Sequence, residues 1–245
     1  MLKKLKSALK GPALLSALKA AVFAVLLFLA ASHWLFAVIL VLASLFFYFS
    51  GQSGNFFYSF LILLASSLII VKFSILNPPA GGQFSILISL VFGALFFILL
   101  AIKNLFFINR ENYYHFFNNF LFFTVFLIFF QIDKTRFFWL WYLVLFFAVF
   151  ALFKEPLVQR NYFPSKIDLL AACLAMVIIQ YAWALSLLPI GFLNSLVLMT
   201  TGALILKDLL ANYLNGLLSR RIVLKNITLF VIFSLIVFIA STWQP

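Results

Sequence analysis

Long apolar runs separated by short polar segments dominate the pattern of this chain. An apolar run of about 17 to 25 residues can cross the hydrocarbon core of a bilayer as an α-helix. The apolar runs cover residues 13–31, 34–49, 56–71, 84–102, 116–130, 137–153, 167–188, 190–206 and 222–243. Some of them are at or slightly below the short limit. The pattern therefore predicts an all-α fold, a polytopic transmembrane bundle with about nine membrane-spanning helices.

The breaks between the runs are short and carry residues typical of turns. They include the glycine- and serine-containing segment 51–55, the Pro-Pro-Ala-Gly-Gly segment 78–82, and residues 155–164 with a proline near each end. None of these segments is long enough to fold separately, so we expect residues 1–245 to form a single integral membrane domain. The break at 188–191 has no polar side chain, which leaves open whether 190–206 crosses the membrane or is re-entrant.

The distribution of charge predicts an orientation. The chain has 17 Lys and Arg residues, 5 Asp and Glu residues and a formal charge of +12. If the N-terminus is cytoplasmic and the chain crosses nine times, the external loops hold only three of the basic residues, Lys72, Lys134 and Arg136. Cytoplasmic loops of membrane proteins concentrate Lys and Arg. We therefore expect a cytoplasmic N-terminus and an external C-terminus, with a first segment that is retained as a helix rather than cleaved as a signal peptide.

The composition excludes a soluble protein. Hydrophobic residues make up 67% of the chain and charged residues 9%, against about 45–50% and 25% in ordinary soluble domains. Cys173 is the only cysteine, so no disulfide or thiolate metal cluster can form within one chain. We predict no metal and no cofactor, because His33 and His115 are expected on opposite sides of the membrane.

Few polar side chains are expected at membrane depth. The deepest are Gln180 and Asn194. The simpler interpretation is that each makes an interhelical hydrogen bond, and the alternative is that they line a substrate path. Lys19, Lys72, Lys103 and Lys207 are close enough to helix ends for their ammonium groups to reach the interface.

The predicted cytoplasmic face is where catalytic chemistry could be located. Arg110, Glu111 and His115 lie within six residues of one another, and such a set could bind a phosphate and transfer a proton. The alternative is that these residues pair with one another and with anionic lipid headgroups.

Two segments have the pattern of helices that lie in the inner membrane interface. They are a basic helix at residues 1–11 and an amphipathic in-plane helix at 207–219. The residues expected to contact the headgroups of anionic inner-leaflet lipids are Lys3, Lys4, Lys6, Lys10, Arg220, Arg221 and Lys225. No basic face is large enough to follow a nucleic-acid backbone, so a nucleic-acid partner is not expected.

Three functions are compatible with this pattern. The leading hypothesis is a non-catalytic subunit or scaffold of a membrane assembly, with protein partners in the membrane. The alternatives are a carrier or flippase for a lipidic molecule, and a lipid-phosphate-modifying enzyme at the cytoplasmic face. The charge bias and the short helices favour a bacterial-type plasma membrane.

Overall fold

The computed structural model describes residues 2–50, 56–72, 81–104, 110–132, 138–159 and 164–241. Within these ranges, it leaves the side chains of 2–10, 12, 81–84, 159 and 164–166 undescribed. All the regular structure in these ranges is helical. The helices are α1 (Leu2–Ser32), α2 (Trp34–Phe49), α3 (Phe57–Lys72), α4 (Gly81–Lys103), α5 (Arg110–Gln131), α6 (Phe138–Gln159), α7 (Pro164–Leu187), α8 (Phe192–Leu214) and α9 (Arg220–Ala240). The predicted helical bundle is confirmed.

Among the described residues, seven helices are long and apolar enough to span a membrane, namely α1 and α4 to α9. The other two, α2 and α3, have 16 residues each. At 1.5 Å per residue each of these is about 24 Å long, which is shorter than a hydrocarbon core of about 30 Å. Crossing by these two helices remains a prediction.

The chain divides into two compact units, residues 1–121 and 122–245. In unit 1, α1 packs against α2, α3 and α4. The close approach of α1 and α4 depends on Gly93, because a Cβ atom there would lie 2.8 Å from the Cβ of Ala24. Beside this contact the rings of Phe23 and Phe96 stack with centroids 4.5 Å apart. Small residues thus bring two apolar helices together and large aromatic rings fill the adjacent space.

Unit 2 is built from successive helical hairpins. The Phe122 and Phe153 rings join α5 to α6, with centroids 5.0 Å apart. A salt bridge of 2.8 Å between Lys154 and Asp168 joins α6 to α7. The amide of Asn226 in α9 donates a hydrogen bond of 2.8 Å to the carboxylate of Asp208 in α8. Each of these contacts joins helices that are consecutive in the chain.

Two helices extend well beyond their predicted C-terminal boundaries. Helix α6 continues past Pro156 to Gln159, although a break had been expected at residue 155. Helix α8 continues to Leu214 and is followed by its C-cap Asn215 and by Gly216, whose φ is +67°. Residues 207–214 are therefore the last turns of α8, and an in-plane position of residues 207–219 remains a prediction.

One apolar cluster explains both extensions. Leu157 of α6, Ile167 of α7 and Leu210 of α8 pack together as buried residues. Each extension carries one of these leucines into the cluster. The burial of Leu157 offsets the loss of the hydrogen bond that Pro156 cannot donate. The burial of Leu210 stabilises residues 207–214 as a continuation of α8. Residues 2–32 likewise form one continuous helix, and the interfacial position of residues 1–11 remains a prediction.

Candidate functional sites: an exposed face of α7 and a lysine cluster in unit 1

One face of α7 is exposed along the length of the helix. The exposed residues Cys173, Met176, Gln180, Trp183 and Leu187 follow one another at alternating spacings of three and four. This is the spacing at which one helix face meets a partner helix in left-handed packing. We call these five residues the α7 face.

Gln180 is the polar member of the α7 face. It lies about two turns, or ~10 Å along the helix axis, before the end of α7. The hydrocarbon core of a bilayer is about 30 Å thick, so this position is expected within the core. Among the described residues, no hydrogen bond to its amide is found. The predicted interhelical hydrogen bond within the chain is thus not seen, and the amide points away from the packed interior of unit 2.

Asn194 lies at a different depth from Gln180. It is half-buried in the first turn of α8, next to the turn at 188–191. That turn separates two helices of 24 and 23 residues, both of which are long enough to span. The structure therefore does not bring Asn194 and Gln180 together at one level of the α7–α8 hairpin.

Two lysines converge on the C-terminal end of α2 in unit 1. Lys103, at the end of α4, is only 6% exposed. Its ammonium group lies 3.9 Å from the centre of the Tyr48 ring and donates a hydrogen bond to the main-chain carbonyl of Tyr48. Lys19 of α1 is half-buried, and its ammonium group lies 2.7 Å from the Oγ atom of Ser50.

A further polar contact borders these lysines. The amide of Asn104 donates a hydrogen bond of 3.3 Å to the hydroxyl of Ser16, one turn before Lys19 in α1. Helices α1, α2 and α4 thus each contribute to one polar group, which we call the lysine cluster: Ser16, Lys19, Tyr48, Ser50, Lys103 and Asn104. The sequence had indicated only that Lys19 and Lys103 could reach the interface. Helix periodicity does not show that the C-terminus of α2 would draw both ammonium groups inward.

The predicted enzyme residues lie on the first turns of α5. Glu111 and His115 face each other one helical turn apart, with 3.6 Å between the carboxylate oxygen and Nε2. Their side chains are 65% and 34% exposed, and Arg110 is exposed as well. A pairing between neighbouring residues, which the sequence had allowed as an alternative, is therefore present.

The predicted headgroup residues fall into two groups. Arg220, Arg221 and Lys225 are exposed at the start of α9. Lys3, Lys4, Lys6 and Lys10 lie in helical backbone, but their side chains are outside those described. Contact with headgroups remains a prediction for all seven residues.

Two surface grooves in unit 1 are almost entirely apolar. One, of about 320 Å³, runs between α2 and α3 past Ala37 and Leu68, and has Lys72 over Trp34 with 4.6 Å from the ammonium group to the ring centre. The other, of about 280 Å³, runs between α1 and α4 past Ala21 and Gly93. In the described part of the chain, no three His, Cys, Asp or Glu residues are grouped as metal ligands.

Together, the long apolar helices and the short connections define a polytopic helical membrane protein. Several hydroxyl side chains of the described helices bond to their own helix, as Ser44 does with the carbonyl of Leu40 at 2.6 Å. No known protein family, curated protein or solved structure matches this chain.

Proposed function

We propose that the protein is a non-catalytic subunit of a membrane assembly and that it associates with its partner through the α7 face. The observation that supports this proposal is the exposed amide of Gln180, which has no hydrogen-bonding partner among the described residues. A polar group in contact with lipid lacks the hydrogen bonds that water would provide. A partner helix that supplies a donor and an acceptor at the same depth removes this cost.

We propose a second copy of the chain as the occupant of the α7 face. Copies inserted in the same orientation have parallel α7 helices, so a two-fold axis along the membrane normal would bring identical residues together. A glutamine amide is both a donor and an acceptor, so two Gln180 side chains at the same depth complement each other. The remaining members of the face would provide apolar packing on either side.

The expected stabilisation is modest. An interhelical hydrogen bond in a membrane contributes about 0.6 to 2 kcal/mol. Gln180 would therefore fix the register and the choice of partner, as a single polar residue does in a coiled coil, while close packing of Met176, Trp183 and Leu187 would supply most of the affinity. This division of roles predicts an assembly that weakens without Gln180 but whose subunits keep their fold.

The geometry offers less support for the other two functions. A carrier path would require Gln180 and Asn194 to face one route, whereas Gln180 is on the exposed α7 face and Asn194 is half-buried at the start of α8. A catalytic site would require Arg110, Glu111 and His115 to converge on a substrate pocket, whereas they occupy exposed first turns of a single helix.

The only cysteine of the chain provides a direct test. Cys173 lies on the α7 face about two turns, or ~10 Å, before Gln180. In a two-fold pair, the two Cys173 thiols would face each other close to the axis. Mild oxidation of native membranes should therefore produce a reducible product with twice the mass of the 27.9-kDa chain.

Matched variants determine whether such a product reflects the proposed pairing. Gln180→Leu should reduce the yield of the dimer several-fold, Gln180→Asn should retain most of it, and Asn194→Leu should leave it unchanged. Two results would refute self-association through this face: a cross-link of equal yield in Gln180→Leu, or no dimer under conditions in which Cys173 is fully reactive.

A further inference from the structure

The lysine cluster contains two cationic groups and no carboxylate. Glu111 pairs with His115 and Lys154 pairs with Asp168, and neither pair includes Lys19 or Lys103. The contacts of the two ammonium groups are with the carbonyl and ring of Tyr48, the hydroxyl of Ser50 and the ring of Phe47. These neutral groups accept hydrogen bonds or stabilise a cation, but they carry no negative charge.

The sequence of unit 1 leaves little negative charge to balance these lysines. Glu111 is the only acidic residue between positions 1 and 121. The segments that follow Ser50 and Asn104 in the sequence, 51–55 and 105–109, contain no Asp or Glu. The missing countercharge therefore has to come from outside this part of the chain.

The end of α2 balances only part of the charge. The C-terminus of a helix carries the equivalent of about half a negative charge, and Tyr48 and Ser50 are at that end of α2. Two ammonium groups carry two positive charges. A net positive charge thus remains at a cluster in which Lys103 is only 6% exposed. An unpaired ammonium group in such a place is destabilising unless an anion accompanies it or the amine loses its proton.

We propose that Lys19 and Lys103 together bind a phosphate group. A phosphate has the charge and the several acceptor oxygens that two ammonium groups can share. The amide of Asn104 has a second N–H available at the same place beyond its bond to Ser16. The phosphate could belong to a phospholipid headgroup or be a free inorganic ion. The site is in unit 1 and does not depend on the α7 face of unit 2.

Binding can be measured with the full chain purified in a neutral detergent. The probes are dioleoyl phosphatidylglycerol, dioleoylglycerol, which has the same chains without the phosphate, and inorganic phosphate with sodium chloride at matched ionic strength. The readouts are the melting temperature and the mass of the intact complex. Phosphatidylglycerol should raise the melting temperature and add one retained lipid, and dioleoylglycerol should do neither.

Variants of the cluster test the assignment to these residues. Lys103→Met removes the ammonium group and keeps an unbranched side chain of similar length. If Lys103→Met does not fold, Lys19→Gln at the half-buried position replaces it as the test variant. Each should weaken binding about tenfold or more, because a hydrogen bond to a charged group is lost. Lys72→Met is the matched control, since Lys72 also lies over an aromatic ring but outside the cluster. It should bind as the wild type does.

Each outcome has a defined meaning. A response to phosphatidylglycerol alone identifies a lipid headgroup, and an equal response to inorganic phosphate identifies a free ion; both support the site. Equal stabilisation by dioleoylglycerol would show that acyl chains, not phosphate, are recognised. Wild-type affinity in Lys19→Gln, or an equal loss in Lys72→Met, would likewise overturn the proposal.

Discussion

The ammonium group of Lys103 lies 3.9 Å from the centre of the Tyr48 ring and donates a hydrogen bond to the carbonyl of the same residue. Tyr48 is in the last turn of α2, where main-chain carbonyls have no partner within the helix. One side chain of α4 therefore caps α2 and also contacts an aromatic face. Because the hydrogen bond is to the main chain, the ring can be removed without removing the cap.

We predict a measurable coupling between Lys103 and the Tyr48 ring. A cation over an aromatic ring contributes about 0.5–1 kcal/mol when exposed and about 2 kcal/mol when desolvated. The double-mutant cycle of Lys103→Met with Tyr48→Leu should give a coupling free energy of about 1–2 kcal/mol in reversible unfolding in detergent. The cycle of Lys19 with Phe47, where the separation is 5.9 Å, should give about 0.5 kcal/mol or less. Equal couplings would contradict the assigned geometry.

Gly93 should be intolerant of a side chain. A Cβ atom at this position would lie 2.8 Å from the Cβ of Ala24 and 3.4 Å from the carbonyl oxygen of Ala20, so α1 and α4 would have to separate. We expect Gly93→Ala to reduce the free energy of unfolding by about 1–3 kcal/mol. Gly191→Ala is the control, because a Cβ there meets nothing within 4 Å. An unchanged stability of Gly93→Ala would mean that α1 and α4 are not in close contact there.

Gly202 should show an intermediate effect. A Cβ at this position would lie 3.0 Å from Cε1 of the Tyr181 ring, which belongs to a side chain rather than to the backbone. The ring can move by a few tenths of an ångström, so Gly202→Ala should destabilise less than Gly93→Ala in the same unfolding measurement. The opposite order would show that the α7–α8 contact is the more rigid of the two.

The sequence predicts the helices better than the direction of their polar side chains. Apolar length located all nine helices of the described residues, because a spanning run must be continuous in hydrocarbon. The ends of α6 and α8 were missed because Leu157 and Leu210 are held by tertiary packing, which no local signal shows. The face of α7 on which Gln180 lies was not predicted, because α7 is apolar on every side and has no distinctive polar stripe.

Asn226 provides a polar link between the last two helices. Its buried amide donates a hydrogen bond of 2.8 Å to the carboxylate of Asp208, and few other side chains of α9 are buried. Asn226→Ala should destabilise the α8–α9 hairpin by about 1–2 kcal/mol, since the acceptor is charged. Hydrogen exchange of the α9 amides should become faster while that of α6 stays unchanged.

Asn212 is the matched control for Asn226. Its amide bonds only within α8, to the main-chain carbonyl of Asp208 at 2.8 Å. Asn212→Ala should change stability by less than about 0.5 kcal/mol and leave exchange in α9 unaltered. Faster α9 exchange in both variants would indicate that α9 is loosened through the end of α8 rather than through the lost cross-helix bond.

The orientation of the chain can be tested with reporters fused after each helix. The bias of basic residues predicts that fusions after α1, α5, α7 and α9 report an external location, and fusions after α4, α6 and α8 a cytoplasmic one. The helices α2 and α3 are the exception, because 16 residues each give a length of about 24 Å. If both cross in locally thin bilayer, a reporter inserted at 51–55 is cytoplasmic. If neither α2 nor α3 crosses, the reporter inserted at 51–55 is external. Every later reporter then keeps its predicted side, because removing two crossings leaves the order of sides unchanged. A cytoplasmic C-terminus would therefore contradict the predicted orientation in either case.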